Sequence, residues 1–159
     1  MLYYMSEPDR VQAWGGGKVN LWTGRSSHFR GPTNDEDLDY LTAASVLLPT
    51  QVLHQVGLLD AEYFMYWEDT DLSFRIRNAG WKLCVAADAV VLHKESASND
   101  GGNPTLDRYM TASGIRFLAR YARIPWIAIA VMIGGRAAKR FVLMDWKRGW
   151  AVIAGLSGY

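Results

Sequence analysis

One short stretch constrains this chain more than any other. Trp67-Glu68-Asp69-Thr70-Asp71 places three carboxylates within four positions, directly after the aromatic run Tyr63-Phe64-Met65-Tyr66. Like charges this close repel, and a helix N-terminus relieves part of that repulsion because its unpaired N–H groups and macrodipole favour negative charge. Residues 72–80 fit such a helix. Leu72, Ile76 and Ala79 share a face at i, i+4 and i+7, Asp71 sits one turn before Arg75, and Gly80 suits the left-handed residue that closes a helix. Two readings of the acids stand side by side. Acids in a first turn are ordinary capping chemistry. Aromatic rings beside carboxylates also build sugar-binding clefts, the rings covering the apolar side of a pyranose while the acids take its hydroxyls.

The flanking segments read as α/β. Tyr40 to Leu48 is a nearly uninterrupted apolar run, as expected of a strand covered on both faces. Pro49 then opens a short helix that Gly57 closes. Trp81 to Val85 alternates as a half-buried strand, and Ala89 to Leu92 is a short apolar run ending at His93. Residues 1–38, with Gly15-Gly16-Gly17, Gly24 and Gly31-Pro32, read as long loops holding one short strand around Lys18 to Trp22. After a polar loop from Lys94 to Pro104 the remainder reads as helical, with a break at Pro125.

At 159 residues and 50% hydrophobic, the chain has ample material for a packed core. Its one cysteine, Cys84, excludes an internal disulfide framework and a Cys-based zinc site. No uncharged apolar run reaches the length of a membrane span, and no secretory leader is visible, so a cytoplasmic location is expected. The net charge of +1 hides an asymmetry: residues 1–103 carry 8 Lys and Arg against 14 Asp and Glu, residues 104–159 carry 9 against 2. This divides the chain into an acidic body over 1–103 and basic amphipathic helices over 104–159. Arg136, Lys139, Arg140, Lys147 and Arg148, interleaved with Trp146 and Trp150, suit peripheral contact with an anionic membrane, on its inner face. The competing reading is that these helices pack on a partner or on another copy of the chain, a homo-oligomer. A nucleic-acid role fits poorly, because the body is acidic and the tail lacks a stacking platform.

His93, at the end of an apolar run, reads by itself as a hydrogen-bonded structural residue or as a metal ligand. A resemblance favours the second. Val56-Gly-Leu-Leu-Asp60, Tyr63 to Leu72, Arg75, Ala79-Gly80-Trp81 and Val90-Val-Leu-His93, in that order and spacing, resemble the second half of the catalytic domain of family 2 inverting glycosyltransferases, especially the rhamnosyltransferase-like branch. The resemblance implies the C-terminal part of a GT-A mixed α/β sheet, followed by amphipathic helices. It implies transfer of a sugar from a nucleotide-diphosphate donor to a glycan or lipid-linked acceptor with inversion. Asp69 would be the general base, Glu68 would orient it or bind acceptor hydroxyls, and His93 would join an Asp-x-Asp motif in holding Mg²⁺ or Mn²⁺. Trp67, Tyr66, Asp71 and the loop at Gly15 and Gly16 would shape the acceptor side.

The family's donor-binding half and its Asp-x-Asp motif would lie upstream of everything in this sequence. Of the Asp-x-Asp matches present, those at 35–37 and 37–39 sit in a polar loop and that at 69–71 belongs to the base motif, so the metal site is expected to be incomplete in this chain. The resemblance therefore implies a transferase segment with little activity by itself. The alternative is a non-catalytic module whose cleft binds glycan or a completing partner.

Overall fold

The computed structural model describes residues 1–94 and 102–158. The polar loop expected from Lys94 to Pro104 lies mostly outside them. The chain divides into two compact units. One takes Met1–Val19, Ser26–Asp60 and the chain from Asp69 to the last strand; the other takes Asn20–Arg25, Ala61–Glu68 and the three C-terminal helices. The helical unit thus gathers two short pieces beyond the expected 104–159.

The first unit is mixed α/β, with two three-stranded sheets. Strands β1 (Leu2–Tyr4), β2 (Glu7–Ala13) and β6 (Val91–His93) form the first sheet in the order β2-β1-β6, antiparallel between β1 and β2 and parallel between β1 and β6. Strands β3 (Gly16–Asn20), β4 (Arg25–His28) and β5 (Tyr40–Leu41) form the second in the order β4-β3-β5. Four strands therefore occupy the region expected to be loops with a single strand. Their sequences explain the miss. Glu7, Asp9, Arg10, Ser26 and Ser27 are exposed, so backbone pairing holds these strands without an apolar alternation to announce them.

Two expected strands are corrected in the other direction. Over Tyr40–Leu48 only Tyr40 and Leu41 pair, and Ala43 to Leu47 is exposed, Leu47 at 94%. The backbone donors beyond β5 go elsewhere: Leu41 N–H to the Ser73 hydroxyl, Thr42 N–H to Gly15 O and Ala43 N–H to Asp69. Trp81–Val85 forms no strand either. Leu83 enters the core while Val85 N–H donates to Asp35 Oδ1 at 3.1 Å.

Helices α1 (Thr50–Val56) and α2 (Glu68–Asn78) appear where the punctuation places them. Gly57 closes α1 at φ +83°. Gly80, at φ +89°, closes α2 in a Schellman arrangement, with Trp81 N–H returning to Ile76 O and Gly80 N–H to Arg77 O. Leu72 and Ile76 of α2 meet Leu38, Val52 and Leu83 in one buried cluster. Each such side chain contributes about 1.5–3 kcal/mol by leaving water, which seats the helix.

The second sheet depends on a close approach at Gly16. A Cβ there would sit 1.8 Å from Tyr40 O, a backbone atom that has no way to yield. Gly16→Ala is therefore expected to cost about 1–3 kcal/mol or more through overpacking. A lowered urea midpoint checks this; an unchanged midpoint would mean that β5 is dispensable.

The helical unit holds α3 (Pro104–Tyr121), α4 (Pro125–Val142) and α5 (Trp146–Ala154). Asn103 caps α3 by accepting from Thr105 N–H at 2.9 Å, and proline occupies the first turn of both α3 and α4. Phe117, Leu118, Ala128, Met132, Val152 and Trp67 are buried here. No helix among the described residues is long and apolar enough to cross a membrane. Of the five tail cations, Arg136, Arg140 and Arg148 turn toward Asp107 of α3 and do not line a common outer face. Trp146 and Trp150 remain exposed and meet Phe141, the first tilted and the second edge-on.

Candidate active site

Asp69 is the second residue of α2 and is half-buried. Its Oδ1 accepts from Thr70 N–H at 2.7 Å and from the Thr70 hydroxyl at 3.2 Å, while Oδ2 accepts from Ala43 N–H at 3.2 Å. Its main-chain oxygen accepts from the Ser73 hydroxyl at 2.8 Å, and that hydroxyl oxygen accepts in turn from Leu41 N–H at 3.1 Å. The first turn of α2 is thereby tied to the chain leaving β5, and the carboxylate is fixed between them. Oδ2 carries a single long hydrogen bond and keeps lone-pair capacity for an incoming donor.

That carboxylate stands in the wall of a cavity of about 460 Å³, lined otherwise almost wholly by aliphatic side chains, among them Leu41, Val46, Leu53, Leu58, Leu59 and Leu72. Ser73 is the other polar side chain there. Apolar walls with a few placed polar groups are the usual build of a small-molecule site. The field of Asp69 reaches Tyr40, whose phenol is pushed well above its ordinary value, first by burial and then by the Asp69 and Asp39 carboxylates. Sequence reading missed Thr70, Ser73 and the Leu41–Ala43 backbone as the groups that hold the acid. The available signal was Ser73, four residues after Asp69, where a hydroxyl can return to a helical carbonyl.

Asp71 is wholly buried and bonds Arg75 Nε at 2.7 Å. Arg75 in turn donates to the carbonyls of Val56 and Leu58. The expected acceptor contact at Asp71 therefore gives way to an internal ion pair. Gly15 (φ +74°) and Gly16 are likewise held by packing: Val85 crowds the position of a Gly15 side chain, and β5 crowds that of Gly16.

His93 ends β6, paired with Tyr4 of β1, and its Nδ1 lies 2.8 Å from Gln12 Oε1. An amide oxygen only accepts, so Nδ1 is the donor in this contact. Asp69 and His93 belong to the same unit, each with its own partners. Among the described residues no group of three or more His, Cys, Asp and Glu is placed to hold a metal ion. One imidazole does not suit Mg²⁺ or Mn²⁺, which call for several oxygen ligands.

The aromatic run and Glu68 belong to the helical unit. Tyr66 and Trp67 both adopt left-handed backbone, at φ +69° and +70°. For bulky residues this costs on the order of 1–3 kcal/mol each, a strain that collects at functional sites. Trp67 is not an open sugar platform: it is 5% exposed, and its ring packs on Phe117 with centroids 4.8 Å apart. Tyr63 is buried under the Arg116 guanidinium, while Phe64 is exposed and meets Tyr109 edge-on. Glu68 and Tyr66 are half-buried. The Tyr66 phenol is raised by burial first, then by the Asp107 and Glu68 carboxylates, with Arg136 opposing.

Comparison with known proteins decides the family. Residues 5–110 match the family described as glycosyltransferase-like family 2. The chain belongs to glycosyltransferase-like family 2. The mixed α/β unit with its α2 start is consistent with the GT-A type of fold. Two relatives, from two strains of Mycobacterium tuberculosis, are each 34% identical over 79 residues, covering 50% of this chain. Both are named N-acetylglucosaminyl-diphospho-decaprenol L-rhamnosyltransferase. The matched stretch is 26% of each relative, so this family 2 chain spans about a quarter of their length. No solved structure matches the chain significantly.

Proposed function

We propose that this family 2 chain forms the acceptor side of an inverting glycosyl transfer, with Asp69 as the general base. The observation that carries the proposal is the Asp69 carboxylate, fixed by Thr70 and Ala43, with Oδ2 open to one further donor at the wall of a cavity. In this reading Oδ2 takes the proton of an acceptor hydroxyl as its oxygen attacks the anomeric carbon of the donor sugar. The bond to the diphosphate breaks on the opposite face, and the configuration inverts. The base needs hydrogen-bond reach to its hydroxyl, which an N–H-anchored acid at the wall of a cavity supports. No step is assigned to a metal ion, because His93 by itself does not make a site for one.

In the same reading the donor is a nucleotide-diphosphate sugar and the acceptor a glycan or lipid-linked glycan, with the work done on the cytoplasmic side of a membrane. The relatives' printed names make L-rhamnosyl transfer to a diphospho-lipid-linked N-acetylglucosamine the first reaction to try. The test is a transfer assay on the protein that carries this segment, with the product's anomeric configuration read by NMR. Inversion supports the reading; retention overturns it. A second reading, a glycan-binding module without turnover, rests on the lack of a metal-holding group among the described residues. Acceptor binding with no product from any nucleotide sugar would select it.

A further inference from the structure

In the helical unit, Asp107 of α3 is buried among three arginines. Arg140 Nη2 donates to its Oδ1 at 2.9 Å and Arg148 Nε to its Oδ2 at 2.5 Å. Those two bonds satisfy the carboxylate. Arg136, one turn before Arg140 on α4, reaches Oδ1 only at 3.6 Å, too far for a hydrogen bond. Its Nε is buried with no hydrogen-bond partner. Among the described residues, Asp107 and Asp145 are the carboxylates that pair with these three arginines. Asp145 approaches Arg148 at 3.7 Å while capping α5, and Glu68 acts on the Tyr66 phenol.

A guanidinium removed from water with donors unused is costly unless an anion shares the space. Burial and the like charges of Arg140 and Arg148 push Arg136 below its ordinary value, against the pull of Asp107. The three arginine side chains nonetheless keep 21–29% exposure, so an anion can reach them from solvent. Planar guanidinium forks match phosphate oxygens in pairs, and a dianion suits a site with more arginines than carboxylates.

We infer that Arg136, Arg140 and Arg148 form a binding site for a phosphate or diphosphate group. Arg136, which makes no hydrogen bond to the carboxylate, supplies the free guanidinium edge, while Asp107 holds the other two arginines in place. The inference does not depend on the role of Asp69.

Calorimetry of the full chain with inorganic pyrophosphate, and flotation with phosphatidylcholine vesicles with and without phosphatidic acid, test it. The expected result is saturable binding, weakened about tenfold or more in Arg136→Gln. Binding of pyrophosphate without flotation assigns a soluble diphosphate. Flotation that needs phosphatidic acid and is lost in Arg136→Gln assigns a lipid headgroup. Arg136→Lys, which keeps the charge and loses the fork, is expected to fall between and carries the test if Arg136→Gln does not fold. No saturable binding in either arm, or equal binding by wild type and both variants, overturns the site.

Discussion

If Asp69 is the base proposed above, Asp69→Asn is expected to lower turnover by about 10²–10⁴-fold in the protein that carries this segment, the range that general-base catalysis contributes. The substitution is nearly isosteric. Its amide oxygen can still accept from Thr70 N–H, now at 2.7 Å from Oδ1, so the start of α2 is retained. What it loses is a second oxygen: either Ala43 N–H or the Thr70 pair gives up its acceptor, which costs about 0.5–2 kcal/mol as for other lost caps. The thermal midpoint should therefore fall by only a few degrees while kcat collapses. KM for the acceptor should rise only modestly, because the NH2 group that replaces Oδ2 can donate to the oxygen of the incoming hydroxyl. Ser73→Ala separates positioning from chemistry. It removes the hydroxyl that joins Asp69 O to Leu41 N–H without touching the carboxylate, and its loss in kcat should be much smaller. Full turnover in Asp69→Asn would remove the base from Asp69 and leave the acids as a helix cap.

The parts of this chain that could be read from its sequence are those where one local rule has no competitor. Pro49 and Gly57 bracket α1, Gly80 ends α2, and Pro125 breaks the helical remainder, because each residue type has a backbone preference that neighbours rarely override. The Asp71–Arg75 pair followed from helical spacing in the same way. Strands failed in both directions, since a strand needs a partner that composition does not reveal. Tyr40–Leu48 has strand chemistry but pairs over only two residues, while Glu7–Ala13 lacks that chemistry and pairs along β1. The acids at 68, 69 and 71 were legible as a group, yet their separate fates were not. Asp69 lines a cavity and Asp71 is sealed in an ion pair, a difference set by the side of α2 that the core covers. The aromatic wall was misread for a related reason. Burial of Trp67 on Phe117 depends on a residue fifty positions away, which no local pattern signals.

Asp71→Ala is expected to be the most destabilising single change in the α/β unit, at about 3–5 kcal/mol, the cost of breaking a buried ion pair from one side. Asp71 is fully buried and Arg75 largely so, with side-chain exposures of 0% and 15%. The guanidinium does more than pair: through Val56 O and Leu58 O it fastens the end of α1 and the turn after it to α2. Removing the carboxylate leaves the guanidinium with two carbonyl acceptors and no counter-charge. A drop in thermal midpoint on the order of 10 °C or more should follow. The exposed pair Glu7–Arg10, with exposures of 57% and 51%, supplies the control, since Glu7→Ala should cost no more than about 1 kcal/mol. The double variant Asp71→Leu with Arg75→Met should recover much of the loss, because it removes the stranded charge as well as its partner. Equal midpoints for Asp71→Ala and Glu7→Ala would show that water reaches Arg75, and that the junction between α1 and α2 is held by the apolar cluster alone.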